Sequence, residues 1–252
     1  MATKPKRRRR DKQLELGLVR GRGGPGRGQG RKKRRRDYVP HRRRPFLDGR
    51  HVLHVTLTVV DGLPSLRGRT LWAAVRRGFV RGHKTKLGFR IVHYTVDGKH
   101  IHLICEARTR SAMSRGMQGF KSCVGKAINK ALGGRRGAVF TDRYHERIIT
   151  NPTQCRNTLA YVLGNQRHHA YAEGASYPPG RVDPYSSAVY FDGWTRRAIP
   201  WGNGSPGENE AAPPGAAPET WLLRVGWRRA GGPISPSHVP GLPPGAPALP
   251  VW

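Results

Sequence analysis

β-Branched and aromatic residues gather in short runs along the first two thirds of the chain, and stretches of helical periodicity separate them. Strands are predicted over His51–Val60, Phe89–Val96, His100–Ala107 and Arg143–Ile149. The second and third flank Asp97-Gly98-Lys99, which reads as a tight turn joining two antiparallel strands. Helices are predicted over Thr70–Arg81, Ser111–Leu132 and Pro152–Ala172. Asn151 supplies an N-capping side chain to the last helix, and Pro152 takes its first position, where the missing N–H costs nothing. The order βαββαβ plus a final helix predicts an α+β domain. Its architecture is a ferredoxin-like, RRM-like antiparallel sheet with helices on one face.

The strand period places chemistry. Side chains alternate across a strand, so His100 and His102 share one face while Ile101, Leu103 and Cys105 point the other way into a core. Paired imidazoles suit divalent transition metals, and Mg²⁺ or Mn²⁺ can join if an oxygen ligand is supplied. Taken alone, the pair reads more readily as two half-buried histidines on a sheet face. In the last predicted helix, Tyr161 and Asn165 are four apart and share a face. Tyr161 by itself could be an ordinary amphipathic anchor. Together the two strings offer two imidazoles, a carboxamide oxygen and a phenol, a set suited to metal-assisted cleavage of a DNA strand through a phosphotyrosine.

Several strings carry a family resemblance. They are His54-Val55-Thr56-Leu57 with Gly62-Leu63-Pro64-Ser65-Leu66-Arg67, His100-Ile101-His102-Leu103, Ser114 to Phe120, Val139 to His145, and Leu159-Ala160-Tyr161-Val162-Leu163-Gly164-Asn165. In this order the segment from about Phe46 to Ala172 resembles the HUH single-tyrosine transposases of bacterial insertion sequences, most closely their REP-associated branch. The residue four after the tyrosine is Asn165 here, as in that branch, where the insertion-sequence branch has glutamine. The resemblance implies the same fold and a divalent cation (Mg²⁺ or Mn²⁺) held by His100, His102 and Asn165. It also implies Tyr161 as nucleophile and a single-stranded, hairpin-bearing DNA substrate. Glu106, on the strand face of the histidines, and Gln166, beside Asn165, are candidates to support the ligands from behind.

Composition agrees with a polyanionic partner. The formal net charge is +32, and the first fifth of the chain is crowded with Lys and Arg. Residues 1–45 have too few apolar side chains to offset ordering entropy and read as a disordered basic arm. The domain proper spans 46–173, followed by an aromatic extension over 174–201. A Pro/Gly-rich tail over 202–252 contains a short amphipathic segment at 219–229, expected to dock back on the domain or meet a partner. Cys105, Cys123 and Cys155 have no CxxC spacing, which argues against a zinc ribbon or a disulfide framework. No apolar run reaches membrane-spanning length, and no signal core follows the basic start, so a cytoplasmic, nucleoid-associated bacterial protein is expected, monomeric or homodimeric.

The expected activity is therefore a transposase that nicks and joins DNA strands through a 5′-phosphotyrosine. Arg115, Lys121, Lys126 and Lys130 on the second helix, with Arg143 and Arg147, are candidates to grip the DNA backbone. One alternative is a domesticated relative that binds or nicks repeats without moving DNA. Another is an RRM-like RNA-binding module, since Arg77-Gly78-Phe79-Val80 resembles part of an RNP1 signature, although this string falls at a helix end. Deleting residues 1–45 should weaken binding to all DNA and flatten its salt dependence without changing the cleavage site. Titrations across a salt series measure this; a lost site preference with an unchanged salt slope would show that the arm reads sequence.

Overall fold

The computed structural model describes residues 43–82, 88–141, 143–201 and 215–239. Most of the basic arm and the Pro/Gly-rich stretches at 202–214 and 240–252 lie outside the described residues. The elements are β1 (Val52–Thr58), α1 (Arg69–Gly82), β2 (Phe89–Val96), β3 (His100–Ala107), α2 (Arg110–Ala131), β4 (His145–Ile149), α3 (Pro152–Leu163) and α4 (Asn165–Ala172). A two-stranded pair, β5 (Arg181–Val182) with β6 (Ile199–Pro200), and a short helix α5 (Trp221–Arg224) follow. The four main strands form one sheet in the order β2-β3-β1-β4, antiparallel at every junction. That is the expected βαββαβ arrangement.

Period two divides the sheet into two unlike faces. Leu53, Val55 and Leu57 of β1 join Ile101, Leu103 and Cys105 of β3 in a core covered by α1 and α2. Phe79 sits at its centre, with ring centroids 4.4 Å from Tyr94 and 4.9 Å from Phe120. The RNP1-like string is thus structural: its aromatic is spent in the core beneath a helix and is not displayed on the sheet. α1 and α2 lie on one face as expected. The last helix takes the other face, where Val52, Ile104 and Ile149 pack with Cys155, Leu159 and Val162 of α3.

The predicted last helix is two pieces. Asn151 caps α3 by accepting from Gln154 N–H at 2.9 Å, as its sequence promises, and Gly164 then ends it. Glycine is a poor helix former, and α4 begins at the next residue. Two boundaries also differ. The fold takes in Arg44, whose guanidinium pairs with Glu146 at 3.2 Å and lies 3.9 Å from the Tyr144 ring centroid, so the arm ends earlier than 45. The C-terminal segment is more than a tail with a docked island. Leu222, Leu223, Trp227 and Ile234 are buried against α3, and Ile234 lies within the stretch expected to be unstructured.

Glu106 secures that segment. Its carboxylate, 3% exposed, accepts from Glu219 N–H at 2.8 Å, Thr220 N–H at 2.9 Å and Thr220 Oγ1–H at 2.7 Å. The expectation that Glu106 supports the histidines is overturned. It shares their sheet face but lies four residues from His102, about 13 Å along the strand, and its oxygens are committed to the C-terminal segment.

Packing on the first face is tight where α2 crosses β2. A Cβ added at Gly116 would run into the Phe89 ring and its Cβ, so something must shift to admit it. Gly116→Ala should therefore destabilise the fold by about 1–3 kcal/mol, despite alanine's better helix propensity. Chemical denaturation checks this; a stabilised variant would show that the crossing is looser than described.

Candidate functional site

The second face of the sheet is polar at one end. β1 and β3 pair in a register that sets Thr56 opposite His102 and Thr58 opposite His100, with His54 one step diagonally away. His102 is 8% exposed, and its Nδ1 lies 3.2 Å from Thr56 Oγ1 and 3.3 Å from His54 Nε2. With Nδ1 engaged, Nε2 is the ring atom left for another partner. The His54 and His102 rings stack at 5.5 Å, and the His100 ring is 6.4 Å from His102.

Tyr161 reaches this cluster from α3. Its ring meets His102 edge-on at 5.6 Å and His54 at 5.7 Å, because Leu159 and Val162 bury the helix against the same face. On α4, His168 lies 5.7 Å from the Tyr161 ring, and His169 Nε2 is 3.3 Å from Asp97 Oδ2 at the β2–β3 turn. Asn165 is 1% exposed, and its Oδ1 is buried without a hydrogen-bond partner among the described residues. Leaving a carbonyl oxygen buried and unpaired is costly. Among the described residues no group of three His, Cys, Asp or Glu side chains is arranged to hold an ion.

Electrostatics keeps the His54 and His102 imidazoles neutral. Burial, reinforced by His54 and His100, pushes His102 down to about 3. Burial, with the charges of His145 and Arg147, pushes His54 down to about 4. The Tyr161 phenol moves up, first through burial and then through Asp97, so its nucleophilic form is disfavoured unless positive charge is brought close.

The structure therefore brings Tyr161 onto the histidine pair's face, with Asn165 beginning the next helix. Gln166 lines a narrow crevice with Tyr177, Asp183 and Trp194, and its Oε1, like the Oδ1 of Asn165, is buried without a hydrogen-bond partner among the described residues. The basic candidates divide. Arg115, Lys126 and Lys130 are exposed on α2, and Lys121 lies 5.6 Å from the Phe140 ring. All four belong to the helix layer across the sheet from the histidines. Arg147 is exposed on the histidine face, directly opposite His54 in the β1–β4 register, and Arg143 is half-buried just before β4. His54 and Thr56 entered the sequence reading only within the string that carries the resemblance, without a role at the site, and His168 and His169 did not enter it. His54 and Thr56 do show the alternation of His100-x-His102, but only the strand register reveals that they face it.

Comparison with known proteins bears directly on this stretch. Residues 67–165 match the family model described as "Transposase IS200 like". This segment belongs to the IS200-like transposase family. The transposase segment includes His100, His102, Tyr161 and Asn165, whereas His54 and Thr56 precede it. Among solved structures, the chain is similar to one titled "Structure of the REP associates tyrosine transposase bound to a REP hairpin". Identity is 20% and the TM-score 0.44, over 59% of this chain and 82% of that one. No curated protein matches the chain. Among the described residues no helix is long and apolar enough to cross a membrane.

The depressed histidines make the fold acid-sensitive. His54 and His102 fall from 6.5 to about 4 and about 3 on folding, so below pH 6.5 the unfolded chain binds more protons. Their contribution is fully present above about 6.5 and is lost as the pH falls towards 3. Replacing His102 with Asn, which cannot titrate, should flatten the decline in unfolding free energy between these limits. An unchanged slope would show that His102 is not buried in its neutral form.

Proposed function

We propose that this chain is a metal-dependent single-strand DNA nicking and joining enzyme, with Tyr161 as nucleophile and a 5′-phosphotyrosine as its covalent intermediate. The observation that carries the reading is the Tyr161 ring set edge-on against His102, beside the neutral imidazoles of His54 and His102. Family membership of residues 67–165 supports a DNA-processing activity. The likeness to a transposase bound to a hairpin motivates a hairpin-bearing single strand as substrate.

The donor set fits a divalent cation. His100 and His102 would supply nitrogen, and the buried, unpartnered Asn165 Oδ1 would supply the oxygen. Thr56 and His54 at His102 Nδ1 hold the ring as the outer partners of a ligating imidazole usually do. When bound, Mg²⁺ or Mn²⁺ would withdraw charge from a non-bridging phosphate oxygen and favour the ionised phenol.

In the cleavage step Tyr161 Oη forms a bond to phosphorus, and the bond from phosphorus to the 3′ oxygen breaks. The departing oxygen takes a proton from water and leaves as a 3′-OH. The phenolic proton must go elsewhere, and His168 is our candidate acceptor because its ring lies 5.7 Å from that of Tyr161. Joining is the reverse: a 3′-OH attacks the phosphotyrosine, the Tyr161–phosphorus bond breaks, and the phenol regains its proton. No ATP is needed, because the phosphotyrosine conserves the energy of the diester. On this reading Arg147 touches the strand near the cleavage point, while the cations of α2 serve DNA that wraps the opposite layer.

Tyr161→Phe keeps the ring and its packing but removes the attacking oxygen. With hairpin-bearing single-stranded DNA and Mn²⁺, it should abolish the covalent protein–DNA adduct and leave DNA binding nearly intact. His102→Ala should also block cleavage, with partial recovery at high Mn²⁺. An adduct that persists in Tyr161→Phe would move the nucleophile elsewhere, with Tyr144 or Tyr171 next in line.

A further inference from the structure

A second cavity lies at the other end of α3. It encloses about 590 Å³ where the C-terminal end of β3, the start of β2 and the residues before β1 meet the C-terminal segment. Its lining includes Arg50, His51, Arg90, Arg108, Glu219 and Trp221. From Thr150 at its wall to Tyr161 is about 16 Å along the helix axis, a span covered by a few nucleotides of single-stranded DNA.

Trp221 is the unusual feature. It is 52% exposed, yet it does not swing freely. The indole lies over Gly226, where an added Cβ would come within 2.6 Å of its Cζ3, and the Arg229 guanidinium is 5.4 Å from its ring centroid. The segment carrying it is anchored by the three hydrogen bonds to Glu106. An aromatic surface fixed in place and left open to a cavity is a stacking platform, and every nucleobase has a face to offer it.

The charges around it are sorted. Arg90 is occupied by Glu219 and by Glu106, the latter at 3.7 Å, which leaves the two acids neutralised from the protein side. Arg50 pairs with Asp48 at 2.7 Å but is 90% exposed, so this pair is a weak one in water. Arg108 is exposed, and no ion pair to its guanidinium is found among the described residues. An aromatic face with an uncommitted arginine beside it is the combination that receives an unpaired nucleotide: base on the ring, phosphate on the cation.

We infer that this cavity binds an unpaired nucleotide of the substrate DNA, stacked on Trp221 with its phosphate on Arg108. It would hold the strand a few nucleotides away from the cleavage point. The inference rests on the DNA-cleaving reading for its substrate, but the cavity can be tested without cleavage.

The experiment uses the full-length chain with Tyr161→Phe as parent and two probes, a blunt DNA hairpin and the same hairpin with a single-stranded extension. Trp221→Ala should weaken binding of the extended hairpin by roughly 5- to 150-fold and leave the blunt hairpin unchanged. Trp221→Phe should restore most of the loss. Arg108→Gln should lower the log–log salt slope on the extended probe by about 0.7, the share of one single-strand phosphate. With 5-iododeoxyuridine in the extension, which photocrosslinks to an aromatic ring on which it stacks, the modified peptide should contain Trp221. Unchanged affinity in Trp221→Ala, an equal loss on the blunt hairpin, or crosslinks confined to other aromatics would each overturn the proposal. If the chain with Tyr161 intact forms no covalent adduct while the crosslink to Trp221 persists, the nuclease reading fails and the nucleotide site stands.

Discussion

Everything in this molecule depends on a sheet that has to bury both of its faces. Two neighbouring strands, β1 and β3, carry alternating side chains, and each alternate set must be removed from water by something different. One set is wholly apolar and closes against α1 and α2. The other is apolar at one end, Val52 and Ile104, and polar at the other, His54, Thr56, His100 and His102. A helix that covers the apolar end necessarily extends over the polar end. α3 does so, and that is why a phenol lies on the imidazoles.

The covering of α3 continues the same logic outward. One helix cannot seal a face of four strands, so Leu222, Leu223, Trp227 and Ile234 complete the second core from the far side. Their segment is held to the sheet by Glu106, a buried carboxylate with three donors. A buried charge is tolerable only when satisfied in this way. The extension between them is tied in by a further buried pair: Arg67 donates to both oxygens of Asp183 at 2.8 Å, and its guanidinium lies 4.2 Å from the Tyr185 ring centroid. The aromatics of the extension pack on the domain, with the Tyr185 ring 5.1 Å from Trp72 and the Phe191 ring 5.4 Å from His93.

The balance of polarity at the histidine cluster would suit the chemistry proposed for it. Burial keeps the His54 and His102 imidazoles neutral, while the same burial suppresses ionisation of Tyr161. A low-dielectric pocket with neutral donors and an unpartnered amide oxygen is stable only as long as little charge enters it unpaired. A cation and a phosphate entering together satisfy that condition.

Much of this was legible in the chain. The element order, the Asn151-Pro152 helix start and the division of β3 into histidine and apolar sides follow from period, propensity and capping, which act within a few residues. Tyr161 and Asn165 were legible as a pair because helical spacing is local too, although Gly164 places a break between them. The rest was decided in three dimensions. Nothing local says that β1 pairs with β3 in the register that puts Thr56 against His102, so His54 and Thr56 were read as part of a family string and not as members of the site. Nor could spacing show that Glu106, on the correct face, is claimed by a segment more than a hundred residues away, or that the α2 cations lie across the sheet from the histidines. Strand register, the choice of face for α3 and the partner of a buried carboxylate are settled by burying the whole surface at once, and only the folded chain contains that information.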